Sequence, residues 1–227
     1  EALILQSKVM AVINCAAYTN VELAESERET AFQTNEAGAG LLAEICQKHK
    51  VHLIHLSTDY VFDGTNTRAY LETDPVSPIN VYGDSKAAGE KAIMKVHPKA
   101  LILRVSWLYD FVGKNFLNTM RNLAKTRDHL QVVNDQVSSP VYAGILAADL
   151  LSILEQAQEK NISGVFHYRH EGEASWFEFA KAIFEVFDLK VDVRAVSSDA
   201  FPTEAERPPF SLLSTVKLRR TFSLPNY

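Results

Sequence analysis

A tyrosine and a lysine four positions apart, Tyr82 and Lys86 in Tyr-Gly-Asp-Ser-Lys, follow a strand-like run, Leu53-Ile-His-Leu-Ser-Thr58-Asp59, that ends in a hydroxyl and a carboxylate. On a helix that spacing is about one turn, so both side chains leave the same face. A free phenol titrates near ~10 and is a poor acid at neutral pH. An ammonium beside it favours the phenolate and brings its proton into a useful range. Such a pair next to the Thr58 hydroxyl suits proton transfer to or from a carbonyl or alcohol oxygen. The same residues also have structural readings. Tyr82 and Lys86 would serve an exposed helix start, and Thr58 and Asp59 would cap a turn.

These side chains need elements to hold them. Apolar runs at 9–14, 51–56, 101–106, 130–133 and 165–168 read as strands. Helical spacing predicts helices over 29–50, 84–96, 115–126, 144–157 and 175–187, the last with Ser175 as N-cap. Strands alternating with long helices imply right-handed crossovers and a largely parallel sheet covered on both faces. Turn-rich tracts at 63–79, 137–141 and 203–209 fall where loops at the carboxyl ends of strands build a site.

Composition narrows the function classes. The chain has 227 residues, 47% hydrophobic and 22% charged, enough for one core with a smaller lobe. A net charge of −5 without a Lys/Arg cluster argues against a nucleic-acid footprint. No apolar run approaches the ~20 residues that cross a bilayer, and the first residues carry no signal-peptide pattern. Neither nucleic acid nor membrane is an expected partner, and the cytoplasm is the expected location. Cys15 and Cys46 lie in apolar stretches without CxxC spacing and read as buried free thiols of a reducing compartment. Glu22, Glu25 and Glu27 read as a solvated helix start that complements the dipole, and no metal-site residue is assigned.

A doubly wound nucleotide-binding sheet ordinarily opens with a strand and a glycine-rich turn. None of the nine glycines forms GxGxxG, and Gly38-x-Gly40 lies inside helical spacing, where it reads as close packing. Glu1-Ala-Leu-Ile-Leu reads as a helix end. The expectation is therefore an opening βα unit of roughly 30–50 residues ahead of Glu1.

Several segments then occur in a telling order: Val12-Ile-Asn-Cys-Ala-Ala-Tyr-Thr19, Ser57-Thr-Asp-Tyr-Val-Phe-Asp-Gly64, Tyr82-Gly-Asp-Ser-Lys-Ala-Ala-Gly-Glu90, Arg104-Val-Ser-Trp-Leu-Tyr109 and Asn115-Phe116. Val133-Asn-Asp-Gln136 with Ser139-Pro140, Ser175-Trp176 and Arg207-Pro208 continue the series. Together they strongly resemble the dTDP-4-dehydrorhamnose reductases of the extended short-chain dehydrogenase/reductase superfamily. Ser138 and Val141 stand where that family usually has Gly and Thr.

The resemblance implies an α/β fold, a Rossmann-like doubly wound parallel sheet with a smaller C-terminal substrate lobe. Residues 1–106 and 131–158 would form the dinucleotide-binding part, and 107–130 and 159–227 mainly the substrate lobe. It implies reduction of the 4-keto group of dTDP-4-dehydro-L-rhamnose to dTDP-L-rhamnose for surface polysaccharide, with NADPH or NADH as cofactor. The nucleotide sugar is the implied substrate and a homodimer the implied assembly. Some relatives use Mg²⁺ at a subunit interface, with no ligands that map onto this sequence.

Carried over by position, Tyr82 donates a proton to the C4 carbonyl oxygen, and Lys86 holds the cofactor ribose and lowers the Tyr82 pKa. Thr58 takes the place of the superfamily's usual Ser, Asp59 contacts the sugar, and Trp107 walls it. Ala16, Ala17 and Tyr18 pass beneath the dinucleotide, and Asn35 lies near the nucleotide side. The other readings are a non-catalytic regulatory subunit of a partner enzyme, and an epimerase or dehydratase of the same superfamily.

Overall fold

The computed structural model describes residues 1–227. It opens with α1 (Ala2–Gln6), β1 (Ala11–Asn14), α2 (Val21–Ser26) and α3 (Arg28–Phe32), which runs through a π-helical stretch, Gln33–Gly38, into α4 (Ala39–Lys48). β2 (His52–Thr58), α5 (Val81–Val96) and β3 (Leu101–Val105) follow, then β4 (Leu108–Tyr109), α6 (Phe116–Leu123) and β5 (His129–Val133). The chain finishes with β6 (Val137–Ser138), β7 (Val141–Tyr142), α7 (Ala143–Lys160), β8 (Gly164–Tyr168), β9 (Ala174–Ser175), α8 (Trp176–Val186), β10 (Asp192–Val196) and α9 (Val216–Thr221).

The main sheet is parallel throughout, in the order β1-β2-β3-β8. Its centre explains why the sequence reads as strand there: all five residues of β3 are buried. Alternate side chains serve opposite faces. Leu101, Leu103 and Val105 pack with Ile54 and Phe166 against Leu146, Leu150 and Ile153 of α7. Ile102 joins Leu53 against Ala39, Ala43 and Cys46 of α4 and Ile93 of α5. Each fully buried large aliphatic contributes about 1.5–3 kcal/mol, so the two-sided core holds the strand tips rigidly. No helix is long and apolar enough to cross a membrane.

A smaller lobe forms around Leu117 and Met120 of α6, Leu130 and Val132 of β5, and Phe179, Ile183 and Phe184 of α8. Here β5 pairs with β10, apart from the main sheet. Two strands thus fall on the other side of the boundaries expected from sequence. β5 belongs with the lobe because only its alternate residues Leu130 and Val132 are buried, a one-faced pattern. β8 pairs with β3 in the main sheet, returned there by the α7 crossover.

The long helix expected over 29–50 runs without a gap over 28–48, with a π-helical stretch inside it, and α5 begins at Val81 rather than 84, capped by Asn80, whose side chain accepts from the Gly83 N–H at 2.8 Å. Cys46 is buried, but Cys15, expected buried, is exposed where the chain leaves β1. The acidic cluster is not a freely solvated helix start. Glu22 accepts from the Glu204 N–H and pairs with Arg207, Glu25 accepts from the Val81 N–H, and Glu27 accepts from the Tyr18 hydroxyl. Glu204, Arg207 and Val81 lie in segments that only folding brings to α2.

α5 packs closely on the π-helical stretch and α4. A Cβ on Gly40 would meet Ala92 Cβ at 3.3 Å, whereas one on Gly89 would lie 2.1 Å from the Asn35 carbonyl oxygen. The first is tight packing; the second leaves no room for a methyl group. Gly89→Ala is therefore expected to push α5 off its neighbour and cost about 1–3 kcal/mol. A thermal melt should fall by about 2–4 °C per kcal/mol for a chain of this size.

Candidate active site

Thr58 ends β2 and caps the short turn Asp59–Val61, accepting from the Tyr60 N–H at 3.2 Å. Tyr82 and Lys86 rise from the first turns of α5, which packs beside β2. All three border one cavity of about 400 Å³, together with Asp59, Tyr60, Trp107, Trp176 and, from the turn after β1, Cys15, Ala17 and Thr19. The sequence-predicted constellation of hydroxyl, phenol and ammonium is thus brought to one cleft. Of the three loop tracts, 63–79 stays outside it, folded around Tyr70 stacked on Phe62. Ser138, in 137–141, reaches the Asp59 carboxylate instead.

The electrostatics differ from the sequence expectation at one point. Burial pushes the Tyr82 phenol up to about 12, against a lowering by the Thr58 hydroxyl and with Asp59 adding to the rise. Lys86 does not pull it down, because its Nζ donates to the Leu56 carbonyl at 2.7 Å and lies 3.1 Å from His55 Nε2, turned toward β2. Burial also brings Lys86 down to about 8, with Glu90 opposing. The result is a phenol that stays loaded with its proton beside an amine that gives one up with ease.

Asp59 is buried, and its carboxylate is already engaged by the Ser211, Thr58 and Ser138 hydroxyls at 2.5, 3.1 and 3.5 Å. Burial pushes its pKa up to about 6, with those hydroxyls offsetting part of the rise. The folded protein then binds this proton more tightly than an unfolded chain does, whose Asp titrates near ~3.9. That contribution to stability is complete below about pH 4 and is lost as pH rises through 6. Asp59→Asn removes it. The melting temperature of the variant relative to the parent should therefore climb between pH 4 and 7, as differential scanning calorimetry would record.

Trp107 has a left-handed backbone, φ 40°, costly for a bulky residue. Its ring lies flat on Trp176, with centroids 3.5 Å apart and planes 8° from parallel. The Trp176 Nε1–H donates to Gln136 at 3.2 Å, which anchors the stack. A second cavity of about 400 Å³ lies beyond Trp176, lined among others by Phe116, Gln131, Gln136, Thr203 and Arg207. Arg207 carries a buried Nε with no partner.

Asn35 does not border the cleft. It is 1% exposed and works on the backbone: its Oδ1 accepts from the Tyr18 N–H at 2.8 Å, and its Nδ2 donates to the Tyr18 carbonyl at 3.0 Å and to Ser85 at 2.9 Å. The π-helical stretch widens the helix locally and carries this side chain across to the turn after β1. Ala17 borders the cleft, whereas Ala16 and Tyr18 do not.

A family model described as the RmlD substrate binding domain matches residues 1–227. The chain belongs to that family. It is 41% identical over 221 residues to a dTDP-4-dehydrorhamnose reductase of Aggregatibacter actinomycetemcomitans, covering 94% of this chain and 75% of the relative. The enzyme of that name from Escherichia coli is 39% identical over 220 residues, covering 94% and 74%. The crystal structure of a dTDP-4-dehydrorhamnose reductase from Bacillus anthracis in complex with NADP superposes with a TM-score of 0.92 at 38% identity, covering 99% of this chain and 79% of that one.

Two residues of this RmlD-family site, Trp176 and His55, were given no site role by the sequence, although Ser175-Trp176 carries part of the family resemblance. Trp176 follows an N-cap Ser and looks like an ordinary helix start. His55 lies inside the strand run and looks like core. The usable signals were a bulky aromatic directly after a cap and a histidine in an otherwise apolar strand.

Proposed function

We propose that this protein reduces the 4-keto group of a nucleotide-linked 4-dehydro-6-deoxy sugar, dTDP-4-dehydro-L-rhamnose, to dTDP-L-rhamnose with NADPH or NADH. One observation carries the reading: a strand-tip hydroxyl, a phenol, a lysine and an indole wall border a single cleft, in a chain whose relatives bear that enzyme's name.

The cleft suits the nicotinamide half of a dinucleotide. Lys86 Nζ donates to the Leu56 carbonyl and faces His55, which leaves an N–H for a ribose hydroxyl, and Cys15, Ala17 and Thr19 offer only small side chains beneath a flat ring. Lys86, Tyr82 and the turn of Ala16, Ala17 and Tyr18, braced by Asn35, would hold it. When bound, the dinucleotide supplies the hydride. Tyr82 gives its phenolic proton to the oxygen that becomes the alcohol. Thr58 hydrogen-bonds the same oxygen and keeps the phenol directed at it. Trp107, backed by Trp176, walls the sugar beside Asp59.

The buried, unpartnered Arg207 Nε beside the second cavity supports a diphosphate contact there. On this reading the four-stranded sheet carries the dinucleotide, and the lobe of α6, α8, β5 and β10 carries the nucleotide sugar. The working form is a cytoplasmic homodimer, to be checked by sedimentation and fractionation.

Mixing the protein with reduced nicotinamide dinucleotide and the keto-sugar nucleotide should give stoichiometric loss of nicotinamide absorbance. Turnover of the sugar without net consumption would instead identify an epimerase or dehydratase. Silence with co-purification of a larger enzyme would identify a regulatory subunit. Lys86→Ala should weaken dinucleotide binding roughly 10- to 100-fold, the loss of one charged hydrogen bond, and slow turnover as well. Unchanged affinity in a fluorescence titration would count against the ribose contact.

A further inference from the structure

Beneath Lys86 lies a buried imidazole that this chemistry leaves unused. His55 is 1% exposed on β2. Asn14, at the tip of β1, places Nδ2 2.9 Å from its Nδ1, and Lys86 Nζ lies 3.1 Å from its Nε2. Asn14 is oriented by the backbone, because the Ala16 N–H donates to its Oδ1 at 3.1 Å. That leaves the amide nitrogen facing His55. An amide nitrogen only donates, so Nδ1 is the ring's acceptor. A neutral imidazole has one acceptor and one donor, so Nε2 carries the proton and aims it at Lys86. The ring is neutral: burial brings its pKa down to about 3, and the Lys86 charge adds to that.

The Nε2–H finds a lone pair on Lys86 only when the lysine is an amine. Then every bond of the chain is made, from Asn14 to Nδ1, from Nε2 to Nζ, and from Nζ to the Leu56 carbonyl. With Lys86 as an ammonium, two donors oppose each other, or Asn14 must turn and abandon Ala16. The other titratable groups around Nζ are Glu90 one turn along α5, Cys15 after β1, and Tyr82 one turn earlier. Glu90 is committed to Arg104 and Ser57.

We propose that His55, locked by Asn14 as its Nε2–H tautomer, is a positioning residue that makes Lys86 a ready proton donor for recharging Tyr82 after each reduction. This role rests on the reductase reading. Tyr82 loses its phenolic proton to the substrate oxygen and is left a phenolate. Both groups border the same cleft, so a Lys86 ammonium proton passes to the phenolate through water in that cleft, and the resulting amine is reprotonated from solvent. A lysine facing a ring N–H releases that proton more readily than one surrounded by acceptors.

The test begins on protein without cofactor or substrate. Long-range ¹H–¹⁵N spectra of histidine-labelled protein should show His55 as the Nε2–H tautomer. In protein labelled at lysine Cε, the resonance lost in Lys86→Arg should titrate near pH 8. In His55→Gln, whose carbonyl accepts from an ammonium, that midpoint should climb above the parent's, while burial still holds it below the ordinary lysine value of about 10.4. The alkaline limb of kcat should move the same way, with KM for the sugar little changed. Asn14→Asp, nearly isosteric, should flip His55 to Nδ1–H, which covers the case of a His55 variant that does not fold. A Nδ1–H or charged ring in the parent, an unmoved lysine midpoint in His55→Gln, or an unmoved tautomer in Asn14→Asp each overturns the proposal. The expected spectra in a protein that does not reduce the keto sugar would overturn the reductase reading instead, and the recharging role with it.

Discussion

Tyr82→Phe should lower the rate of keto-sugar reduction by roughly 10²- to 10⁴-fold, the usual contribution of a positioned general acid. The substitution removes one hydroxyl and little else. The ring keeps its edge-on contact with Tyr60, centroids 5.9 Å apart, and its place beside Ala24, Ala31 and Val81. Lys86 keeps its bond to Leu56, so dinucleotide affinity should stay near that of the parent. The phenol, pushed up to about 12, is fully protonated throughout the neutral range. Loss of activity in the variant therefore reports a missing proton rather than a shifted titration. Single-turnover absorbance with a parallel binding titration makes the distinction. A variant with nearly full kcat would remove Tyr82 from the role of proton donor.

What the sequence disclosed follows from the range over which each signal acts. Tyr82 and Lys86 share a face because of spacing within one helix, and β3 is recognisable because five consecutive residues are buried on both faces. Both signals are local. The state of Asp59 is not, since it depends on a hydroxyl 152 residues away, Ser211. Glu22 and Glu25 look solvated until the fold brings Arg207 and the start of α5 against α2. Asn35 looks like a helical Asn facing water, because nothing in its neighbours announces a π-helical stretch that turns it inward. β5 and β8 changed sides of the expected boundary for a related reason. A short apolar run reveals that it is a strand, but which sheet receives it depends on distant partners.

The largest loss of stability should come from Arg104→Met. Arg104 and Glu90 form a buried two-pronged pair, Nε to Oε1 at 2.9 Å and Nη2 to Oε2 at 2.6 Å, with side chains 4% and 7% exposed. Ser57 donates to the same carboxylate, His167 Nε2 lies 3.3 Å from Nη1, and the Phe62 ring lies under the guanidinium at 5.1 Å. Removing the arginine strands a carboxylate in the core, which costs about 3–5 kcal/mol. At about 2–4 °C per kcal/mol, the melting temperature should drop by roughly 6–20 °C.

Replacing both partners, Glu90→Met with Arg104→Met, should restore part of this, because apolar replacements of buried pairs are often neutral or better. Recovery stays partial because Ser57 and His167 each lose a partner, so the two changes should be strongly non-additive. Glu90 also opposes the desolvation of Lys86. In the double variant the lysine midpoint should therefore fall even as the melting temperature recovers. Calorimetry and lysine titration on the same sample would then separate what Glu90 does for the fold from what it does for the proton on Lys86.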